Sequence, residues 1–218
     1  MGRIERIMST VYPGNTVLLM HMDGEDGSQI FIEETGLTTT PTTPSLTTVN
    51  KKIGNSGGYF PQNGIVTINN SGHINLLNND WTIECWFWCT VRSGTLRAVT
   101  KSGSFSVGIL PGGLSISVPI IVLSQDGTTN NTYQFNSVHN RRWTYYAFQR
   151  KENLLECYVD GIKEINTYDI SGLTIYSSNN NVHIGNPYGY LDEIRVSQGV
   201  ARYTTNFTPP TTPFERYL

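Results

Sequence analysis

Charge is scarce in this chain of 218 residues: Asp, Glu, Lys and Arg make up 15% of it, and the formal net charge is −2. No basic stripe runs along it, so a nucleic-acid partner would find no electrostatic footprint. No apolar run reaches the roughly 18 residues that a membrane helix needs. Cysteine is rarer still, at Cys85, Cys89 and Cys157. An odd count argues against a disulfide framework, and no CxxC or Cys/His spacing suits zinc. On one strand Cys85 and Cys89 would stand roughly 13 Å apart, beyond the reach of a bridge. All three therefore read as small buried hydrophobes, with a bridge from Cys157 or a thiol paired between subunits as the alternative. Helical periodicity of useful length is also missing. Residues 1–8 are interrupted by charge where a secretory signal needs an apolar core, and Arg6 breaks the myristoylation pattern. The expectation is a protein made in a cytoplasm and never routed through secretion.

What is present is β-structure and neutral polarity. Hydrophobic residues reach 38%, Gly numbers 21, and Asn and Thr are frequent. The length suits one larger all-β domain, a size at which about 70% of the unfolded chain's surface is buried. Residues 1–14 show no strong period and end on the turn signal Pro13-Gly14, so they read as an N-terminal arm. Trp81-Thr82-Ile83-Glu84-Cys85-Trp86-Phe87-Trp88-Cys89 is the strongest strand. Ile83, Cys85, Phe87 and Cys89 share one face, while Glu84, Trp86 and Trp88 share the other. Both faces are largely apolar, so the strand is central. Further strands are expected at 17–22, 29–33, 65–68, 96–101, 105–110, 114–118, 120–123, 132–135, 143–150, 154–159, 163–166, 182–184 and 190–196. The Thr/Pro-rich residues 37–48 read as a loop or edge strand, because proline cannot donate to a central ladder. Asp160-Gly161 predicts a type I′ hairpin. Residues 190–197 alternate like a half-buried strand, followed by a strap that ends on Pro209-Pro210. Many short strands with frequent turns predict an antiparallel sandwich or barrel.

Four segments, in order, resemble the laminin-G-like, concanavalin A-type jelly rolls of tailed-phage virion proteins. Leu18-Leu19-Met20-His21-Met22-Asp23-Gly24 resembles the first strand and acidic turn. Trp81–Phe87 resembles the central strand, and residues 143–161 resemble the paired strands with their Asp-Gly hairpin. Gly189-Tyr190-Leu191-Asp192-Glu193-Ile194-Arg195-Val196-Ser197 and the strap behind it resemble the closing segment. The likeness covers residues 15–214. It implies a β-sandwich jelly roll over residues 15–218 behind the 1–14 arm. It also implies a non-enzymatic virion accessory protein, decorating a head or sitting on a tail or its fibres. Its partners would then be other capsid or tail proteins, with a homo-oligomer left open, and its place the virion. The alternative is a soluble carbohydrate-binding module of a bacterial surface or secreted system. Fold alone does not choose between these roles.

The resemblance further implies a structural Ca²⁺ held by an early and a late aspartate, here Asp23, Asp26 and Asp192. Such an ion needs six to eight oxygens, so loop carbonyls would have to join them; the plainer reading is turn-forming aspartates. In a regular strand Asp192 and Glu193 face opposite ways and cannot serve one ion. For a glycan, aromatic platforms with nearby amides are needed. Tyr188, Tyr190, Asn130 and Asn180 are the best candidates, although strand aromatics more often fill a core. Glycosidase chemistry lacks its carboxylates spaced two apart on one strand. Gly54-Asn55-Ser56-Gly57-Gly58 fits G-x-S-x-G formally, but Tyr59-Phe60-Pro61 cannot open the helix a nucleophile elbow requires, so it reads as a glycine-rich turn.

Overall fold

Trp81–Cys89 lies at the centre of one of two antiparallel sheets, with its two faces divided as its alternation requires. The computed structural model describes residues 15–90, 94–111, 116–136, 138–139, 142–185 and 188–215, so the expected arm lies outside the described residues. In chain order the first strands are β1 (Thr16–Met20), β2 (Thr39–Pro41), β3 (Ser45–Thr47), β4 (Gly57–Phe60), β5 (Ile65–Ile68) and β6 (Trp81–Cys89). Next come β7 (Leu96–Lys101), β8 (Phe105–Pro111), β9 (Ile116–Ser124), β10 (Asn130–Gln134), β11 (Val138–His139) and β12 (Thr144–Lys151). The last are β13 (Leu154–Val159), β14 (Ile162–Lys163), β15 (Tyr168–Asp169), β16 (Val182–Gly185) and β17 (Gly189–Gln198). The first sheet runs β14-β13-β12-β6-β17-β4-β3, with β1 also on β17 and β15 on β13. The second runs β10-β9-β8-β7-β16-β5-β2, with β11 on β9. The result is an all-β sandwich of the concanavalin A-like jelly-roll type.

The main core fills the space between the sheets. Ile83, Cys85, Phe87 and Cys89 enter it from β6, and Phe105, Val107 and Ile109 from β8. Cys85, Cys89 and Cys157 are buried thiols outside any disulfide, as small hydrophobes should be; burial pushes the Cys85 thiol up to about 12. A second apolar cluster lies on the opposite, outer face of the first sheet. Leu19, Trp86, Tyr145 and Tyr158 form its floor, and Ile53 and Phe214 cover it, with Tyr203 and Phe207 packed alongside. The Pro-terminated strap after β17 therefore folds back over the sheet. Tyr203 and Phe207 stack at 3.6 Å, and the side chain of Gln149 pairs with the backbone of Tyr203 through both its amide groups. At the Asp160-Gly161 hairpin both residues have positive φ, 49° and 79°, as the I′ turn requires. A Cβ on Gly161 would stand 1.9 Å from the carbonyl oxygen of Phe207, so the strap also depends on that glycine.

Several strands differ from expectation, each for a local reason. Residues 29–33 do not form a strand. The Glu33 carboxylate accepts the Leu19 N–H at 2.9 Å, taking the place a partner carbonyl would hold, and also accepts from Thr35 and Leu37. Gly57 and Gly58, expected in a turn, begin β4 instead. Residues 163–166 give way to the two-residue β14. The expected strand 114–118 begins outside the described residues, but its end joins 120–123 in one strand, β9, that runs through Pro119. Phe135 N–H bonds the Pro119 carbonyl, so the proline nitrogen faces that same edge, between the end of β10 and the start of β11, where no donor is required.

Glu84 holds the outer face together. It is fully buried, and its Oε1 accepts Arg195 Nε at 2.6 Å while Oε2 accepts the hydroxyls of Tyr145 and Tyr203, each at 2.5 Å. A buried carboxylate that loses its partners costs about 3–5 kcal/mol, whereas replacing a whole pair with apolar groups can be neutral. Glu84→Ala and Arg195→Ala are therefore each expected to lower unfolding free energy by about 3 kcal/mol in urea titrations, and Glu84→Leu/Arg195→Met by much less than the sum of its single changes. Additive losses would remove the pair as a coupled unit.

Candidate functional site

A β-bulge decides what the end of the first sheet presents. On β17 Asp192 pairs with Trp86 and Arg195 with Glu84, so two residues oppose the single Cys85. Glu193 takes the extra place with φ 48°. The alternation read from the sequence is thus broken. Leu191, Ile194 and Val196 enter the core, while Asp192, Glu193 and Arg195 engage partners on the other side. The expectation that Asp192 and Glu193 face apart is corrected by this one inserted residue. At the same point the outer edge of β17 changes partner, from β4 beside residues 189–191 to β1 beside residues 194–197.

The loop 50–57 tucks into that junction. Asp192 Oδ2 accepts the N–H groups of Lys52 at 2.8 Å and Ile53 at 3.1 Å. From the other side Asp23 Oδ1 accepts those of Asn55 at 2.5 Å and Ser56 at 3.1 Å. Gly54 and Gly57 let the backbone approach, since a Cβ on Gly54 would stand 2.3 Å from the Asp23 carboxylate. Glu193 accepts Phe214 N–H at 2.8 Å and bonds His21 Nδ1 at 2.9 Å. The three aspartates expected around calcium are therefore divided: Asp23 and Asp192 clamp one loop, while Asp26 accepts from Thr48 on another. Their carboxylates are used as acceptors for backbone N–H groups. Among the described residues no group of three or more His, Cys, Asp or Glu side chains could hold a metal ion.

One oxygen of the clamp stands out. Asp192 Oδ1 is buried and has no hydrogen-bond partner among the described residues, and burial pushes the carboxyl up to about 8 despite the donors from Ile53 and Lys52. The Glu193 hydrogen bond likewise raises His21 above the usual histidine value.

Next to the loop, the register gathers four aromatic rings. Tyr59 on β4 pairs with Tyr190 on β17, and Tyr190 with Trp88 on β6. Trp143, one residue before β12, continues the row. Ring centroids are 5.3 Å apart for Tyr59–Tyr190, 6.4 Å for Tyr190–Trp88 and 6.0 Å for Trp88–Trp143. Trp143 Nε1 donates to Asn50 Oδ1 at 3.0 Å, which fixes the ring against the loop. Tyr59 is 37% exposed and the other three are half-buried. A groove of about 370 Å³ borders the tyrosine end, lined by Asp26, Ser45, Thr47 and Val49. A second, of about 310 Å³, borders Trp143 with Lys52, Arg142 and Asp160. Trp143 also lies 6.4 Å from Tyr190, so Tyr190, Trp88 and Trp143 form a compact triangle with Tyr59 beside it.

The expected glycan residues do not meet. Tyr190 is central to the row. Tyr188 is 41% exposed at the turn before β17, where its carbonyl accepts from Thr90. Asn130 stands on β10 of the other sheet, and Asn180 donates to the Ser102 carbonyl. Sequence reasoning missed Trp143 as a platform residue and missed Tyr59 entirely. Tyr59 lay in a segment read as a turn, and no local pattern brings residues 59, 88, 143 and 190 together.

The description "Concanavalin A-like lectin/glucanases superfamily" belongs to the family model that matches residues 60–202. No curated protein matches the sequence. Among solved structures, the binding domain of Paraclostridial Mosquitocidal Protein 1 is similar, with TM-score 0.64, 12% identity, and coverage of 86% of this chain and 50% of that one. The botulinum neurotoxin serotype C1 binding domain gives 0.61 and 12%, covering 84% and 48%. Domain 4 of AbnA, a GH43 extracellular arabinanase from Geobacillus stearothermophilus, in complex with arabinotriose, gives 0.59 and 16%, covering 86% and 94%. The chain spans about half the length of the toxin domains it matches, and likeness at these identities shows the fold.

Burial of Asp192 has a measurable consequence. Its folded value of about 8 lies above the about 3.9 of an unfolded aspartate. The folded form therefore holds an extra proton between these values, and stability falls as pH rises through that window. Asp192→Asn is expected to flatten the stability–pH curve between pH 5 and 9 relative to wild type, with His21 unchanged in both proteins. Parallel curves would show that Asp192 is ionised throughout.

Proposed function

This chain belongs to the concanavalin A-like lectin/glucanases superfamily, and from that premise we propose that it is a non-enzymatic domain that binds carbohydrate along the row Tyr59–Tyr190–Trp88–Trp143. The observation that carries the reading is the cross-strand register, which gathers four partly exposed rings into one cluster on one face. Flat rings offer apolar surface to the C–H faces of sugars. The two grooves supply hydrogen-bonding groups where a short oligosaccharide would leave the rings. At one end Asp26 is kept charged, because the Thr48 N–H and hydroxyl hold its carboxyl below the usual range; at the other stand Lys52, Arg142 and Asp160. The arabinotriose complex of AbnA domain 4 supports a glycan as the class of ligand. The buried Glu84 is committed to Arg195 and two tyrosines and leaves no free carboxylate on its strand for hydrolysis.

The setting proposed is a tailed-phage particle, with the domain as an accessory protein of head, tail or fibre and many weak sites acting together. That part rests on the likeness of residues 189–210 to closing segments of phage virion domains.

Binding to a panel of neutral bacterial oligosaccharides tests the site. Trp88→Ala and Tyr190→Ala are each expected to weaken it about tenfold, equivalent to 1.4 kcal/mol per ring, with melting temperature followed as a control on folding. A folded variant that binds as wild type would remove the row from the site. For the setting, mass spectrometry of purified particles is expected to find the protein at a fixed copy number; its absence would overturn the virion reading and leave the glycan reading standing.

A further inference from the structure

The outer face of the second sheet carries different chemistry. Thr67 stands opposite His183, His183 opposite Thr100, and Thr100 opposite Ser106. Paired residues of an antiparallel ladder point to the same side. Their core-side neighbours, such as Val66, Val99, Val107 and Ile184, fill the main core, so these four side chains form a polar row facing away from it. Thr67 Oγ1 and His183 Nδ1 lie 3.1 Å apart, and Thr100 Oγ1 and Ser106 Oγ 2.8 Å apart.

A register shift between Arg97 and Val99 adds a cation to this face. It lets Ala98 and Val99 both enter the core, while Arg97 Nη1 donates to Ser106 Oγ at 2.8 Å. A guanidinium has five N–H donors, and this bond uses one. Among the described residues Arg97 forms no ion pair with a carboxylate. It is half-buried, and burial lowers its pKa, so its charge is partly desolvated with no counter-charge to offset the cost. Beside it opens a cavity of about 230 Å³, lined by Arg97, Thr100, Ser106, Val122 and Asn130, with the turn 101–104 at its rim. Lys101 is fixed below by its bonds to the carbonyls of Gly72 and Ile74, at 2.8 and 2.7 Å. It adds positive potential without presenting its ammonium group.

We propose that this cavity is a second binding site, which takes the carboxylate of an acidic saccharide. The guanidinium fork matches a carboxylate in two parallel hydrogen bonds. The hydroxyls of Thr100 and Ser106 and the amide of Asn130 suit the hydroxyls of the same sugar. Among the described residues that line the cavity, Arg97 alone presents its charge, which matches a monoanion. The volume is smaller than the about 300 Å³ at which pockets begin to engulf drug-sized ligands, so one sugar residue enters while the chain continues along the polar row. The site stands on the opposite sheet from the aromatic row and does not depend on it.

Titration of the ¹⁵N-labelled protein with glucuronate-containing oligosaccharides, with neutral gluco-oligosaccharides of equal length as the comparison, tests the proposal. The acidic ligand is expected to shift the backbone amides of Arg97, Thr100 and Ser106, and the neutral one to leave them in place. Arg97→Gln should weaken acidic binding at least tenfold, Arg97→Lys should restore part of it, and Ser106→Ala should give an intermediate loss. The Ser106 variant also keeps the question decidable if Arg97→Gln folds poorly. Unchanged binding in a folded Arg97→Gln protein overturns the site. So does an acidic ligand that shifts only residues near Trp88 and Tyr190, an outcome that would leave the aromatic row supported. Sodium acetate binding as tightly as the oligosaccharide would overturn the saccharide assignment.

Discussion

Glu84 has no exposed surface, and its burial is tolerated because three donors converge on it from three parts of the chain: Arg195 from β17, Tyr145 from β12 and Tyr203 from the closing strap. An isolated carboxylate there would cost several kcal/mol; a fully bonded one does not, so the arrangement makes the strap conditional on the sheet and the sheet conditional on the strap. Arg195 extends the network, because its guanidinium lies 3.9 Å over the ring of Phe214 while the Phe214 N–H bonds Glu193. The second apolar cluster is closed by this chain of contacts.

The bulge at Glu193 is the other constraint. By placing one extra residue on β17 it turns Asp192, Glu193 and Arg195 outward together, each with its own task. Asp192 holds the loop 50–57, Glu193 holds His21 and the chain end, and Arg195 neutralises Glu84. The loop then fixes Trp143 through Asn50, which completes the aromatic row. The candidate site is thus supported from beneath by two buried acids and Arg195. The buried acids are committed to structure, and the exposed groups are rings, hydroxyls and a few rim charges.

The two outer faces are chemically unlike because they are covered differently. On the first sheet the strap and the loop 50–57 occupy most of the surface, and aromatic rings remain where that cover ends. On the second sheet, hydroxyls, one imidazole and Arg97 make a polar face.

Much of the fold was legible in the chain. The alternation of Trp81–Cys89 assigned its two faces correctly, the Asp160-Gly161 turn was fixed by its positive φ values, and the Pro-terminated strap was evident from its turn residues. These are local properties, set by a period of two and by glycine's freedom at one position. Tyr190 was among the rings the sequence offered for a glycan. What the sequence could not show needs long-range pairing. Tyr59 joins Tyr190 across 131 positions of chain because β4 pairs with the first half of β17, and a glycine-rich segment gave no sign of being a strand. The inward or outward direction of Asp192, Glu193 and Arg195 depends on one bulged residue whose φ of 48° has no signature in a Glu. Composition and periodicity therefore determined a sandwich or barrel of many short strands with a closing strap, whereas strand register alone decided which rings and which charges share a face, because a shift of one residue moves every later side chain to the opposite side.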